Sequence, residues 1–271
     1  MRHLLIPILG LLVLVVGATG HAGPRAERWE RWAVHDPTSM RHIDHAEWGD
    51  ILRRHLRIGA DGVHRIAYGK VTAADRGQLD DYVARLAAVP ISTYNRAEQM
   101  AFWINLYNAL VVRLVVDHYP IASIRDIGAT GGGPWSESLV EVEGIPLSLN
   151  DVAHRILRPI WKDPRLHYAL ACGAVGCPNL QPEPFDGRQL DRQLSEAAMA
   201  YINDQRCITI EGDRLALSSI YRWYRDDFGP TDRDVINHLM AYAEPSLAMR
   251  LQRFEKIGDD GFDWRLNDAA S

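Results

Sequence analysis

The sequence predicts an α+β fold, mostly helical, with two small β-hairpins around a central apolar helix. Three observations lead there. Helix-capping signals followed by amphipathic runs recur along the chain, the run Met100 to Val112 is apolar on nearly every side, and only two stretches alternate apolar and polar residues about a glycine turn. Internal repeats, low-complexity tracts and regular βαβ alternation are missing from the pattern, which disfavours a doubly wound sheet. At 271 residues the chain is long enough to bury a substantial core and short enough for one domain.

The first element is a targeting signal. Met1-Arg2-His3 precedes an apolar run from Leu4 to Val16, and Ala18 to Ala22 supply small residues for cleavage after Ala22. Residues 1–22 are therefore expected to be a signal peptide and 23–271 a single globular domain. The apolar run falls short of the roughly 20 residues that cross a bilayer, so no membrane span is expected after cleavage and the protein is expected in the periplasm or secreted. No cysteine lies near the cleavage site to carry a lipid; an uncleaved anchor is the alternative.

The remaining elements follow in order. Asp44 with Glu47 opens a helix carrying Trp48, Ile51, Leu52 and Leu56, and Thr72 with Asp75 opens another with Leu79, Tyr82, Val83 and Leu86 on one face. Asn95 with Glu98 forms a third capping box before the central helix, which ends ahead of Pro120. Alternation from Leu139 to Leu149 about Gly144 predicts the first hairpin, and Ser148 with Asp151 caps a short helix through Leu157. After the turn signal Asp163-Pro164, Leu166 to Cys172 reads as a strand. Asp186 with Gln189 opens the next helix, and Cys207 to Ile210 and Leu215 to Leu217 flank Gly212-Asp213 as the second hairpin. Ser218 caps a helix stopped by Gly229-Pro230, and the rest is helical to about Phe254. Gly131-Gly132-Gly133 is followed by Pro134-Trp135, without the lysine and hydroxyl residue of a phosphate-binding helix start, and reads as a flexible loop.

Four separated motifs carry a resemblance. They are Ala101 to Leu110 with Asn105 and Asn108, Ser148 to Arg158 with His154, Asp163 to Pro178 with His167, Cys172 and Cys177, and the late Trp223-Tyr224 with Asp227-Phe228. Together they resemble Domain of Unknown Function 547, over about residues 48–267 with Asp263-Trp264 near the end. The resemblance implies an unassigned activity, frequent export among bacterial members, and intracellular plant members joined to other modules. The family usually carries Glu before the His of its short helix, where this chain has Ala153 before His154.

The chemistry-bearing residues concentrate in those motifs. Cys172 and Cys177 flank Gly173-Ala174-Val175-Gly176, a loop in which two sulfurs can meet; Cys207 reads as a buried filler. An oxidising compartment favours a Cys172–Cys177 disulfide, whereas the resemblance to intracellular members at both cysteines keeps thiol chemistry open. A thiolate nucleophile needs a base and a group to orient it, and His154, His167, Asn105 and Asn108 provide a Cys-His-Asn-like set. Zinc is a further alternative, with Cys172, Cys177, His154 and His167 as four ligands. Asn105 and Asn108 sit in an apolar helix, where an unpartnered amide costs about 1–3 kcal/mol. The favoured reading has them bonding loop backbone and locking the Cys172 to Cys177 segment onto the helix. Tyr107 and Trp103 read as core and rim aromatics, and Asp226 and Asp227 as partners for a neighbouring segment or an arginine such as Arg158.

The formal charge of −5, with 30 basic and 35 acidic residues mixed along the chain, leaves no basic stripe for a nucleic-acid backbone. The leading functional expectation is an exported thiol-dependent hydrolase or acyl transferase acting on a peptide-like or thioester-like substrate, without a cofactor. The alternatives are a disulfide-stapled binding or scaffold domain with a peptide-like or protein partner, and a zinc-dependent site.

Overall fold

The structure is a computed structural model that describes residues 23–128 and 133–269. The expected signal segment and most of the triple-glycine loop lie outside the described residues. The fold is built on helix α3, Arg96–His118, in which every residue from Glu98 to Val112 is buried. It is the one helix among the described residues that is long and apolar enough to cross a membrane, and 89% of its apolar window is buried inside the protein. A helix with no polar face can only be satisfied by neighbours on all sides. Helix α2 (Ala73–Ala87) packs along it, as does the helical turn Asp151–Leu157. Trp103 meets Trp32 and Phe102 edge-on at 5.1 and 4.8 Å. The helix ends at Tyr119, before the cis Tyr119–Pro120 bond.

The capping signals form in graded fashion, according to what else competes for each side chain. Thr72 and Asp75 make both arms of a capping box at α2. At α3, Asn95 accepts the N–H groups of Ala97 and Glu98, but the Glu98 carboxylate turns away to the Ile43 N–H and His42, so the return arm is missing. Helix α1 (Ala46–His55) begins after His45; Asp44 accepts the Ala46 N–H, while Glu47 is drawn off by the Arg85 guanidinium at 2.8 Å. Leu56 leaves α1 and starts strand β1 (Leu56–Ile58), which pairs antiparallel with β2 (His64–Ile66). That hairpin was not expected, because strands of three residues, Leu-Arg-Ile and His-Arg-Ile, are too short to show a pattern.

The first expected hairpin is present as β3 (Val140–Val142) and β4 (Ile145–Leu147), turned by Glu143 and Gly144 with φ of 48° and 77°. Positive φ at both central positions is the two-residue geometry that matches strand twist. Ser148 and Asp151 cap each other reciprocally. The helix they open runs past Leu157 as a π-helical stretch, Asp151–Leu157, continued by α4, Arg158–Trp161.

The strand expected over Leu166 to Cys172 is a correction. Leu166–Ala169 is a helical turn, α5, because Asp163 accepts the Arg165 N–H through its carboxylate and the Leu166 N–H through its carbonyl. Helix α6 (Leu190–Ile202) starts at Leu190, later than the Asp186 signal, since Asp186 is bound instead to Arg188. The second expected hairpin, β5 (Ile208–Glu211) with β6 (Arg214–Ser218), gains a parallel third strand, β7 (Asp259–Gly261). After Ser218 the helix breaks at Tyr224 into α7 (Ile220–Trp223) and α8 (Arg225–Phe228), then stops at Gly229 with φ 128°. Helices α9 (Asp232–Tyr242) and α10 (Pro245–Leu251) complete a second apolar cluster around Tyr201, Tyr221 and Val235. The result is the mostly helical α+β fold that the sequence predicts.

Asn105 and Asn108 act as backbone clamps. The Asn105 amide donates to the Phe185 carbonyl at 2.7 Å and accepts the Phe185 N–H at 2.9 Å. Asn108 does the same across α5, donating to Ala169 O and accepting Ala171 N–H, both at 2.9 Å. Each amide replaces a strand neighbour for one short stretch of loop, and Asn108 thereby fixes the approach to Cys172. Asn108→Ala leaves a buried carbonyl and a buried N–H unpaired at about 1–3 kcal/mol each, so a loss of about 2–6 kcal/mol is expected. A denaturant titration checks it, with the midpoint falling and the slope unchanged.

Candidate functional site

A cavity of about 540 Å³ opens beside α3 where several segments distant in sequence converge. The π-helical stretch supplies Ala153 and His154, α4 supplies Arg158, and α5 with the loop after it supplies His167, Leu170 and Cys172. The remaining wall is aromatic: Tyr107 of α3, Trp135, Trp223 and Tyr224 around the α7–α8 break, and Phe262 and Trp264. Trp223, Phe262 and Trp264 form one cluster, with centroid separations from 4.7 to 5.6 Å. Arg125 lies over Trp264 at 5.2 Å.

The π-helical widening has a local cause and a visible consequence. Pro159 has no N–H to close the ladder, and the turns before it are wide: the Arg158 N–H reaches back to Ala153 O. The His154 and Arg155 carbonyls instead accept the N–H groups of Glu27 and Trp29 at 2.9 and 3.0 Å. The amino-terminal segment is thereby laid along the cavity edge. Gly23 and Pro24 line the opening, with the Gly23 N–H donating to Trp223 O at 2.9 Å and Arg158 Nη1 donating to Pro24 O at 2.7 Å. A Cβ on Gly23 would lie 2.8 Å from Trp223 O, so only glycine fits.

At the base of the cavity one carboxylate oxygen organises the polar groups. Asp227 Oδ2 accepts from Arg158 Nε at 2.5 Å and from His167 Nε2 at 2.6 Å. Arg158 Nη1 also donates to His154 Nδ1 at 2.9 Å, which fixes the His154 proton on Nε2. Tyr224 covers the group, stacked on His167 at 4.4 Å and on His154 at 5.6 Å, with the Arg158 guanidinium over its ring at 4.7 Å. Burial, reinforced by the Arg158 charge, pushes His154 down to about 3; burial also lowers His167, against the pull of Asp227. The bonds from His167 and Arg158 outweigh burial at Asp227 and hold it at about 2. At neutral pH the set is thus two neutral imidazoles beside an internally paired Arg–Asp. His167, with its Nε2–H held by Asp227, is a base oriented by a carboxylate, the first requirement of acid–base chemistry.

The sequence-derived candidates separate into two groups. His154, His167 and Cys172 line the cavity. Asn105 and Asn108 do not belong to it, because both amides are consumed by backbone. Cys172 and Cys177 are bridged, with Cα atoms 5.8 Å apart. Cys177 is buried and accepts the Ala174 N–H at 3.3 Å, so Cys172 is the cavity-facing half. Thiol chemistry and zinc binding at this pair both require the bridge to open. Cys207 is the buried filler expected, with its thiol against Tyr221 O–H at 3.1 Å and burial pushing it up to about 12. The Arg158–Asp227 pair was anticipated; its sharing with His167 and the Trp135, Trp223, Phe262 and Trp264 wall were not. The Trp223-Tyr224 and Phe262-Asp263-Trp264 runs were the available signal, since large aromatics in short polar loops need a place to be covered.

The fold and site together define an α+β protein with a disulfide-stapled, aromatic-walled cleft over a buried His–Arg–Asp–His set. Residues 91–202 match the family described as Protein of unknown function, DUF547, in accord with the resemblance of its motifs. That span holds α3, the His154 turn and both bridged cysteines, while Asp227 and the Trp223 and Trp264 wall lie beyond it. No curated protein and no solved structure matches the chain.

Both His154 and Asp227 bind protons less readily in the fold than in the unfolded chain, so their linked stability is complete at neutral pH. The part linked to His154 is lost as pH falls from its ordinary 6.5 towards about 3, and the part linked to Asp227 from 3.8 towards about 2. Urea midpoints from pH 7 down to pH 4 are expected to fall, and to fall less in His154→Gln. Ring-proton NMR is expected to show His154 still neutral at pH 5; titration near 6.5 contradicts the buried geometry.

Proposed function

We propose that the chain is a disulfide-stapled binding module whose aromatic cleft takes an extended peptide-like ligand. The observation that carries this reading is that the cleft edge already holds an extended peptide, the chain's own Gly23 to Trp29. That segment is bound through main-chain groups at Gly23, Pro24, Glu27 and Trp29. Main-chain hydrogen bonds supply sequence-tolerant affinity, and pockets beside them supply selectivity. Trp223, Phe262, Trp264 and Trp135 offer such a pocket for an apolar or proline side chain, and Arg125 and Asn150 offer donors for peptide carbonyls. The Arg158–Asp227 pair neutralises itself, so the cleft floor selects for neither sign of charge.

A second reading rests on Cys172 sharing the cavity with the His167–Asp227 pair. With the bridge reduced, a thiol and an imidazole line one cleft, with the carboxylate that orients the imidazole bonded behind it, the parts of a thiol-dependent hydrolase or acyl transferase. In this arrangement Asp227 takes the orienting role that the sequence assigned to asparagine.

The two readings part on the double variant Cys172→Ala/Cys177→Ala. For so short a loop its stability is expected to fall by about 2 kcal/mol. Peptides selected from a displayed library against the wild-type protein are expected to quench its tryptophan fluorescence and to bind the folded double variant as well as the wild type. Trp264→Ala is expected to weaken them by roughly tenfold or more, a hot-spot loss. Failure to select any peptide, or equal binding by Trp264→Ala, overturns the peptide cleft; peptide or thioester cleavage by reduced protein that the double variant lacks establishes the thiol reading.

A further inference from the structure

On another face, three segments distant in sequence bring His42, Glu98 and Asp186 together, with one potential ligand atom of each within 4.8 Å of the others. The geometry around His42 is directional. Its Nδ1–H donates to Glu98 Oε1 at 3.1 Å, and its Nε2 lone pair faces Arg188 Nη2 at 3.1 Å. Glu98 is only 4% exposed and is fixed by the Ile43 N–H on its other oxygen. An imidazole whose one N–H is held by a buried carboxylate and whose other nitrogen faces a cation has the arrangement that orients metal-ligating histidines. The cation now in place is a guanidinium on an exposed side chain, bonded to Asp186 at 2.7 Å.

Two further observations point to a built site. Gly187 is pressed against Glu98: a Cβ there would lie 2.6 Å from Glu98 Oε1 and 2.8 Å from its backbone nitrogen, so glycine is what lets the Asp186 turn close onto Glu98. His42, Asp186 and Arg188 also line a cavity of about 320 Å³ together with His45. His45 is 7% exposed and its Nε2 has no hydrogen-bond partner, although its Nδ1 meets Tyr82 O–H at 2.6 Å. An unsatisfied buried ring nitrogen is a cost that a metal-bound water in the cavity would relieve.

We infer that His42 and Asp186, with Glu98 holding the imidazole, form a site for a divalent transition-metal ion that exchanges with the Arg188 guanidinium. One imidazole and one carboxylate suit zinc or manganese, each completing its coordination with water. This site shares no residue with the cysteine and histidine set from which the sequence suggested zinc.

The experiment uses the full untagged protein, stripped with chelator and titrated with zinc chloride or manganese chloride, with bound metal counted by mass spectrometry and affinity read by competition with a chromogenic chelator. One equivalent per chain is expected. His42→Ala and Asp186→Asn should each weaken it by at least about tenfold. Arg188→Ala should bind as tightly or more tightly, and Cys172→Ala/Cys177→Ala should be unchanged. Absence of stoichiometric binding, wild-type affinity in His42→Ala or in Asp186→Asn, or loss of binding in Arg188→Ala overturns the site. His42 and Arg188 have partly exposed side chains, so their variants decide the matter even if Asp186→Asn fails to fold.

Discussion

A single carboxylate oxygen, Asp227 Oδ2, holds together the parts of the molecule on which its cleft depends. Through Arg158 it reaches the π-helical turn and the amino-terminal segment, through His167 it reaches α5, and its own backbone belongs to α8. A buried guanidinium without a counter-charge is strongly unfavourable, so Arg158 and Asp227 are obliged to stay together once the surrounding rings have closed over them. Tyr224 is the ring that closes. It follows the end of α7 at the helix break, and its stacking on two imidazoles and a guanidinium covers the polar cluster with an aromatic face.

The second constraint is the apolar helix α3. Because it has no solvent face, every loop that crosses it must bring hydrogen-bonding groups into a dry interior, and Asn105 and Asn108 meet that demand. Each side-chain amide presents one donor and one acceptor to a strip of backbone, the pairing a β-neighbour would provide. The disulfide loop follows directly after the second clamp, so the position of Cys172 on the cavity wall is set from α3 as much as from the bridge.

Much of this was legible in the sequence where the cause is local. The Thr72–Asp75 and Ser148–Asp151 boxes, the Glu143-Gly144 turn and the burial of α3 each depend on residues within a few positions of one another. That the two asparagines clamp backbone was legible too, from the cost of leaving an amide unpaired, but only Asn108 grips the approach to Cys172; Asn105 holds Phe185 instead. What was not legible depends on partners far along the chain. Glu47 and Glu98 carry good capping sequences, yet Arg85 and Ile43 claim their carboxylates. Strands β1, β2 and β7 are too short for a pattern and exist because neighbouring edges need partners. Leu166 to Cys172 is a short, mostly apolar run that reads like a buried strand, but the Asp163 cap starts a helical turn that composition alone does not reveal. The cleft itself is assembled from segments far apart in the chain, so some of its residues could be named as candidates while their common wall could not.

The docking of Gly23 to Trp29 makes the amino end of the described chain an architectural component of the cleft. Its first N–H is already committed to Trp223 O, and the space beside it excludes any side chain. The width of the cavity mouth is thereby set by the absence of a single methyl group, and a side chain at position 23 would push the rim away from Trp223.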